Sequence, residues 1–356
     1  MEKFKIGKSQ IGKGAKVYFV ADIAANHDGN LSRAKKLIKL CAKAGANAAK
    51  FQHFKAETIV SDSGFNKIGK MAHQAKWKKS VFEVYKDASI NPKWTKELAK
   101  ECKKNKIDFL TAPYDLEYVD EVNKYIPAYK IGSGDITWKD IIIKIAKKKK
   151  PVLLACGAST LQETIDATKL ILKYNKKLIL MQCNTNYTNT LKNFEYINLK
   201  ALREFKNIFK DKIILGLSDH TPGHSSVLGA IALGAKVIEK HFTDNNYRSG
   251  PDHAFSLNPK TWFEMVEASR QLELSLGNGK KKIEFNEKKS AIVQRRGVWI
   301  KKYLKKGEKL KKKHLKFLRP CPKKSISPFF INKYLGKKSK KNLKIDSLLT
   351  KKCLSL

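Results

Sequence analysis

The stretch KIILGLSDHTPGHSSVLGAIALGAKVIEKHFTD, residues 212–244, contains two short apolar runs separated by a longer apolar segment. Short runs rich in Ile, Leu and Val between turn residues indicate buried strands, and the segment 225–235 between them indicates a helix. A strand–helix–strand unit of this kind is typical of α/β folds with a parallel sheet. His220 ends the first run, and His241 lies near the end of the second. The stretch therefore predicts two imidazoles at the carboxyl ends of successive strands.

The same alternation of short apolar runs and helical patterns extends over most of the chain. Eight runs predict strands, at 16–24, 48–54, 108–114, 128–134, 151–157, 178–184, 212–220 and 237–243. Helical patterns between them include 31–46, 91–105, 160–174 and 225–235. Eight such units in series predict an α/β fold, a closed parallel (β/α)8 TIM barrel. The alternative is an open doubly wound sheet, which would carry a glycine-rich phosphate motif after its first strand, where this chain reads AANHDG.

Local signals mark where two of the predicted helices begin. Thr160 followed by Glu163 predicts a capping box at the start of the helix in 160–174. Asn91 followed by Pro92 predicts an N-cap with proline at the first helical position.

The alternation stops after about residue 277, and a polar segment leads into shorter β-like runs such as 295–300 and 314–320. A change of pattern of this kind indicates a separate domain. We therefore predict a barrel over residues 1–280, a linker over 281–292, and a small β-rich domain over 293–356.

The charge of the chain is strongly positive, with 74 Lys and Arg against 32 Asp and Glu and a formal net charge of +42. Only seven of the 74 are arginine: Arg33, Arg203, Arg248, Arg270, Arg295, Arg296 and Arg319. Because recognition of phosphates and bases usually employs arginine, we expect no nucleic-acid partner. We expect instead a lysine-rich solvated surface whose field attracts small anionic substrates.

The apolar and cysteine content bears on location. No apolar run reaches the roughly 18 residues that a membrane span needs, and the first residues show no secretory signal. The six cysteines lack CxxC spacing, which favours free thiols in a reducing compartment. We therefore expect a cytoplasmic protein with no membrane partner.

Polar residues at the predicted strand ends are the candidates for chemistry, because a TIM barrel carries its active site there. Lys50 and Lys130 lie in otherwise apolar strands, where an ammonium is costly unless it is paired or meets an anion. A structural salt bridge explains either lysine alone, and a Schiff-base lysine is a further alternative. The two together with the Gly-Ser-Gly turn at 132–134 favour a pocket for a phosphate or carboxylate.

His220 and His241 on successive strands, with Asp219 and Glu239 beside them, favour a metal site. Two imidazoles without a cysteine suit a divalent ion that keeps positions open for water and substrate. Such an ion polarises a carbonyl oxygen. We interpret the other histidines, which are His27, His53, His73, His224, His253 and His314, mostly as polar loop residues.

Six ordered motifs identify a family. ADIAANHDGN, AAKFQ, YKIGSGD, GLSDHTPG, ALGAKVIEKHFT and GPDHAFSL together resemble the sialic acid synthases, the N-acetylneuraminate, legionaminate and pseudaminate synthases. The C-terminal KKGEKL, KFLRP and ISP resemble the antifreeze-like (SAF) domain of that family. The resemblance implies condensation of phosphoenolpyruvate with the open-chain form of an N-acetylated hexose, giving a nonulosonic acid and phosphate. N-acetylmannosamine and a diacetamido-trideoxyhexose are both compatible sugars.

The resemblance also implies roles for residues of this chain. His220 and His241 would bind Mn²⁺, with Mg²⁺ or Co²⁺ as alternatives, and Arg319 would reach the sugar from the partner chain of a domain-swapped homodimer. The implied catalytic residues are Asp22, Lys50, Lys130, His220 and His241. The implied substrate-binding residues are Gln52, Ser133, Asn184, Tyr187, Ser218, Glu239, Asp252 and Arg319.

Several positions in or near the implied substrate pocket depart from the family pattern, and they bear on which sugar is used. Asp22 stands where the family usually has Glu, and the fifth strand ends Ala155-Cys156-Gly157 where a Ser or Thr pair is usual. Thr185 and Thr188 also depart from the sixth-strand motif. A metal-dependent aldolase acting on pyruvate and a sugar aldehyde is the alternative enzyme. A nucleic-acid-binding protein and an inactive scaffold are the alternatives from other classes.

Overall fold

The computed structural model describes residues 3–69, 71, 74–75 and 77–355. The chain divides into two compact units, Met1–Gly277 and Asn278–Leu356. Its strands are β1 Phe4–Ile6, β2 Ser9–Ile11, β3 Tyr18–Asp22, β4 Ala48–His53, β5 Asp108–Pro113, β6 Tyr129–Ile131, β7 Val152–Ala155, β8 Leu178–Cys183, β9 Ile214–Asp219, β10 Val237–His241, β11 Gly297–Ile300 and β12 Leu315–Leu318.

The α-helices are α1 Leu31–Lys43, α2 Ala56–Ile59, α3 Asp62–Ile68, α4 Val81–Ala88, α5 Thr95–Lys104, α6 Leu116–Asn123, α7 Lys139–Lys147, α8 Leu161–Tyr174, α9 Ala201–Phe209, α10 Ser225–Ala232, α11 Pro259–Ser275 and α12 Lys288–Val293. Short 3-10 helices cover Pro92–Trp94, Ser133–Asp135, Leu191–Tyr196, Lys210–Lys212, Phe285–Glu287, Lys312–His314, Pro328–Lys333 and Lys351–Cys353. The segment predicted as a linker thus contains a 3-10 turn and most of α12.

The first unit is a closed barrel of eight parallel strands, which confirms the predicted TIM barrel. Strands β3 to β10 follow one another around it, and β10 closes the ring by pairing with β3. The closing register places His241 opposite Asp22. Each of the eight predicted apolar runs contains one barrel strand. The open-sheet alternative is therefore excluded.

Alternating side chains build two apolar layers, because successive residues of a strand point to opposite faces. In β3, Tyr18 and Val20 join the cluster inside the barrel, whereas Phe19 and Ala21 join the larger cluster between the strands and the surrounding helices. Bulky interior side chains fill such a barrel and make it a packed core.

The predicted helix starts are present. Thr160 and Glu163 form the capping box of α8 through reciprocal side-chain bonds to the backbone. The Asn91 side chain accepts a hydrogen bond from the backbone N–H of Lys93, and Pro92 occupies the first position of the 3-10 turn that leads into α5. Each cap satisfies backbone donors that the first turn of a helix leaves without partners.

The β1–β2 hairpin was not among the predicted strands. Its Ile6 and Ile11 are buried and belong to the cluster inside the barrel, so the hairpin adds apolar side chains to that layer. Gly7 turns the hairpin with φ 54°, and a side chain there would meet the Asp108 carboxylate. Glycine is therefore required at this turn.

The second unit has its own small core, formed by residues such as Val298, Leu304, Leu315 and Leu349. Its antiparallel pair β11–β12 is accompanied by isolated bridges, which agrees with the predicted β-rich character. Across the described residues, no helix is long and apolar enough to cross a membrane. All six cysteines are free thiols.

Candidate functional site

Four charged side chains from four strands meet inside the barrel. Lys50 Nζ lies 2.7 Å from Asp22 Oδ2 and 3.6 Å from Glu239 Oε1. Lys130 Nζ donates a hydrogen bond of 2.7 Å to Glu239 Oε1. None of the four residues is more than 4% exposed. Both lysines therefore form buried salt bridges, which was the structural alternative to an anion pocket. Glu239 contacts both ammonium groups.

The ionisation of this cluster follows from burial and pairing. Burial would raise the pKa of Glu239, but Lys130 and Lys50 outweigh it and lower the pKa to about 2. Burial would lower the pKa of Lys50, but Asp22 and Glu239 raise it above its usual range. Burial raises the pKa of Asp22 despite the nearby ammonium of Lys50. Lys50 is therefore charged and Glu239 ionised, and Asp22 is the carboxylate closest to gaining a proton.

The two predicted metal ligands face each other, with imidazole centroids 5.4 Å apart. His220 Nδ1 lies 2.7 Å from the carbonyl oxygen of Asn184, which can only accept, so Nδ1 carries the proton and Nε2 keeps its lone pair. His241 Nε2 lies 3.6 Å from Asp22 Oδ2. Burial lowers the pKa of both imidazoles to about 3, which keeps both rings neutral.

These two histidines fit a divalent ion. The Nδ1 atom of His241 is buried and has no hydrogen-bond partner among the described residues. Neutral imidazoles with free lone pairs are the form that ligates metals. The described part of the chain contains no group of three or more His, Cys, Asp or Glu arranged as a metal site. The protein's share of a metal shell would therefore be two imidazoles, and water and substrate would complete it.

The Gly-Ser-Gly turn follows β6, as predicted, and begins a single 3-10 turn over Ser133–Asp135. Ser133 Oγ accepts a hydrogen bond of 2.9 Å from the backbone N–H of Gly157. Ser218 Oγ lies 3.4 Å from Glu239 Oε1, so it contacts the same carboxylate as the lysines. Asp135 ends this turn, and burial raises its pKa to about 6.

A cavity of about 160 Å³ opens beside His241. Its walls are Ala25, Gln52, Phe54, Ile59, Trp77, Val84, Tyr85, Ala88, Tyr114, Tyr187, His241, Pro251 and Asp252. A wider space of about 820 Å³ shares several of these walls. Three predicted substrate-binding residues, Gln52, Tyr187 and Asp252, thus line one cavity with a predicted metal ligand.

Asp252 is the carboxylate of this cavity that titrates nearest neutrality. Its Oδ2 accepts a hydrogen bond of 3.1 Å from the backbone N–H of Ala25. Burial raises its pKa to about 7, although that hydrogen bond pulls in the opposite direction. Asp252 can therefore be either a proton donor or an acceptor at the cavity wall.

Two residues of the barrel unit, Asn184 and Asp219, have their side chains engaged elsewhere, and Arg319 belongs to the second unit. The Asn184 side chain donates to the Tyr196 carbonyl and accepts from the Asn186 N–H, so it is used within its own loop. Arg319 is exposed in the second unit, directly after β12. The carboxylate of Asp219 is bonded to Lys240 rather than placed beside the two imidazoles.

Four of the six remaining histidines are more buried than polar loop residues would be, whereas His224 is only half-buried. His53 is the last residue of β4, and both its ring nitrogens contact threonine hydroxyls, of Thr111 at 2.7 Å and Thr95 at 2.8 Å. The loop interpretation was therefore wrong for His53. His27, His253 and His314 lie outside the strands, but each is buried. His73 lies outside the described residues. Burial of these side chains depends on distant partners, which a single sequence does not display.

Comparison with known proteins confirms the family resemblance that the sequence motifs indicated. Residues 37–281 match the NeuB family, and residues 295–355 match the SAF domain. The chain is 36% identical to an uncharacterised protein of Methanocaldococcus jannaschii, over 98% of each chain. It is 37% identical to the N,N'-diacetyllegionaminic acid synthase of Campylobacter jejuni, over 94% of this chain and 99% of that one.

One solved structure resembles this chain in both fold and sequence. The N-acetylneuraminic acid synthetase of Leptospira borgpetersenii superposes with a TM-score of 0.70 at 26% identity, over 81% of this chain and 95% of that one. The family match covers barrel strands β4 to β10 and therefore includes the strands that carry the two lysines and Glu239 and the two imidazoles at strand ends. The chain therefore belongs to the NeuB family, the sialic-type acid synthases, and carries a C-terminal SAF domain.

Proposed function

We propose that the protein condenses phosphoenolpyruvate with the open-chain form of an N-acetylated hexose to give a nonulosonic acid and phosphate. The sugar would be N-acetylmannosamine or a diacetamido-trideoxyhexose. The observation that carries this proposal is the meeting of Lys50 and Lys130 with Glu239 inside a barrel of the NeuB family, beside the facing imidazoles of His220 and His241.

The lysine side of the site would bind phosphoenolpyruvate. An ammonium has three donors, so Lys130 keeps donors for a substrate oxygen when one is bonded to Glu239. Lys50, Ser133 and Ser218 would add contacts to the phosphate and carboxylate. A substrate carrying several negative charges would also offset the cost of burying two ammonium groups.

The cavity side would bind the sugar. Gln52, Tyr187 and Asp252 line it and offer polar groups to hydroxyl and acetamido groups. Asp22 contacts both sides, because its Oδ2 lies 2.7 Å from Lys50 Nζ and 3.6 Å from Nε2 of His241, which lines the cavity. A divalent ion held by His220 and His241, Mn²⁺ with Mg²⁺ or Co²⁺ as alternatives, would polarise the aldehyde oxygen.

The reaction balances without an oxidant or reductant. The methylene carbon of phosphoenolpyruvate forms a bond with the aldehyde carbon, and the aldehyde oxygen gains a proton. Water adds to the neighbouring carbon of phosphoenolpyruvate, and phosphate leaves with the bridging oxygen as that C–O bond breaks. Asp135 and Asp252, whose pKa values burial raises to about 6 and about 7, would exchange protons near neutral pH.

We further propose a cytoplasmic homodimer in which Arg319 of the partner subunit contacts the acylamino group of the sugar. The exposed position of Arg319 leaves its guanidinium accessible for this role. The six free thiols favour a reducing compartment.

Phosphate release is the deciding experiment. The purified protein with Mn²⁺ is incubated with phosphoenolpyruvate and a panel of 2-acetamido hexoses, and phosphate and the nine-carbon product are measured. Release that requires both substrates supports the synthase and identifies the sugar. Parallel reactions with pyruvate in place of phosphoenolpyruvate test the alternative aldolase, because only an aldolase would form product there. Absence of release with every sugar would refute the proposal.

A further inference from the structure

A second ion pair lies directly behind the two imidazoles. Lys240 of β10 and Asp219 of β9 are register partners on neighbouring strands, and Nζ lies 2.6 Å from Oδ2. Lys240 is 2% exposed and Asp219 is 1% exposed. Because side chains alternate along a strand, Lys240 lies on the opposite face of β10 from Glu239 and His241. The pair is therefore separate from the charged cluster inside the barrel.

The pair holds the backbone on both sides of His220. Lys240 Nζ donates a second hydrogen bond, of 2.6 Å, to the carbonyl oxygen of Thr221. Asp219 Oδ1 accepts from the backbone N–H of Thr221 at 3.1 Å, and the Thr221 hydroxyl donates to the same carboxylate at 2.9 Å. Ser226 at the start of α10 donates to Asp219 Oδ2 at 3.0 Å. The residues before and after His220 are thus both tied to Lys240, which itself precedes His241.

Stability alone does not account for this arrangement. A buried ion pair gains little over a well-packed apolar pair of the same volume, because both charges must leave water. An apolar pair could not, however, bond to the N–H and carbonyl groups of the turn at 219–221. The ion pair therefore supplies a geometric constraint, and that constraint acts on the backbone that carries both imidazoles.

We propose that the Lys240–Asp219 pair is a positioning element that fixes His220 and His241 for binding a divalent ion. This inference rests on the proposed function, since it presumes that the two imidazoles are ligands. Groups that orient metal ligands through hydrogen bonds typically change metal affinity by about 10- to 100-fold when they are replaced. The pair carries no net charge, so removing both charges together changes the electrostatic field at the imidazoles little, and a loss of affinity reports the geometric role.

The test measures Mn²⁺ binding directly, by electron paramagnetic resonance of the free ion in titrations of the full-length protein. The double variant Asp219→Asn/Lys240→Met removes both charges, and the amide keeps an oxygen that can accept from Thr221. We expect Mn²⁺ affinity to fall about 10-fold or more, with a circular dichroism melting temperature near that of the wild type. Unchanged or increased affinity in this folded variant would overturn the inference.

Two single variants keep the test decisive if the double variant does not fold. Thr221→Val removes the hydroxyl that contacts Asp219 and Ser226 but keeps the backbone N–H bond to Asp219, and we expect a loss of Mn²⁺ affinity of about threefold. Ser269→Ala is the control, because it removes a buried hydroxyl that donates to the Met265 carbonyl within α11 at 2.7 Å, and its affinity should equal that of the wild type. Equal affinity in Thr221→Val and the wild type would overturn the inference.

The wild type separates the two levels of the proposal. If it binds no Mn²⁺, the metal component of the proposed function fails, and this inference fails with it. If it binds Mn²⁺ and the Lys240–Asp219 variants bind equally well, only the positioning role fails.

Discussion

Replacing Glu239 by glutamine tests the charge balance inside the barrel. Glu239 is 3% exposed and is the carboxylate that Lys130 and Lys50 share, at 2.7 and 3.6 Å. The Glu239→Gln variant keeps the shape of the side chain and removes one negative charge. Lys130 then loses its partner at 2.7 Å, and only Asp22 remains beside Lys50. The variant should fold with one uncompensated ammonium in a buried position.

The expected loss of stability follows from two limits. Removing one partner of a buried ion pair costs about 3–5 kcal/mol. The loss of unfolding free energy cannot greatly exceed the free energy of deprotonating an ordinary lysine at the pH of the experiment. The reason is that the lysine left without a partner can release its proton and stay buried as a neutral amine. At pH 7 that limit is roughly 4.6 kcal/mol, and at pH 9 it is roughly 2 kcal/mol. The variant should therefore be about 4 kcal/mol less stable at pH 7, and the difference should shrink as the pH rises.

Denaturation followed by tryptophan fluorescence measures this effect in the full chain. Four of the five tryptophans, Trp77, Trp94, Trp138 and Trp262, lie in the barrel unit, so the signal reports mainly on that unit. A loss of about 4 kcal/mol corresponds to a fall in melting temperature of roughly 10 °C. Glu117→Gln is the control, because Glu117 pairs with Lys55 at the surface, and such pairs contribute little.

Ligand binding gives an independent check. Phosphoenolpyruvate supplies negative charge where the carboxylate is missing, so it should raise the melting temperature of Glu239→Gln more than that of the wild type. A stability loss below about 1 kcal/mol at pH 7, or a loss that grows between pH 7 and pH 9, would refute the charge argument. A small loss would mean that the two lysines are neutral or solvated in the folded protein.

Three further predictions concern other parts of the chain. His241→Ala should abolish Mn²⁺ binding and phosphate release but retain the circular dichroism spectrum of the folded barrel; unchanged Mn²⁺ affinity would remove His241 from the metal site. Burial lowers the pKa of His53 from 6.5 to about 4, so acidification protonates His53 of the unfolded chain first. The contribution of neutral His53 to the free energy of unfolding should be fully present above pH 6.5 and should be lost as the pH falls towards 4. Between pH 7 and pH 4.5, the free energy of unfolding of His53→Gln should fall by about 2.5 kcal/mol less than that of the wild type. Equal falls in the two proteins would contradict the titration of His53 as the cause. Arg319→Ala should raise the KM for the sugar more than the KM for phosphoenolpyruvate in steady-state kinetics, whereas equal increases would count against contact with the sugar.

Much of the barrel could be predicted from the sequence because its signals are local. Each of the eight apolar runs contains a strand, and the capping box of Thr160 and Glu163 involves residues only three positions apart. The β1–β2 hairpin was missed because each strand has only three residues, too few to show a period. Its position depends on contacts with the barrel interior rather than on its own pattern.

The candidate site shows the same contrast between local sequence signals and contacts between distant residues. Sequence alone determined that His220 and His241 follow successive strands and that Lys50 and Lys130 interrupt apolar ones, because strand order and residue type are local properties. Only the tertiary structure decided the partners: Glu239 lies 109 residues from Lys130, and Lys240 reaches back past His220 to Thr221. Closure of the barrel brings β10 against both β3 and β9, and these contacts place the charges. The energy of a buried charge depends on atoms within a few ångströms, and those atoms come from distant parts of the chain.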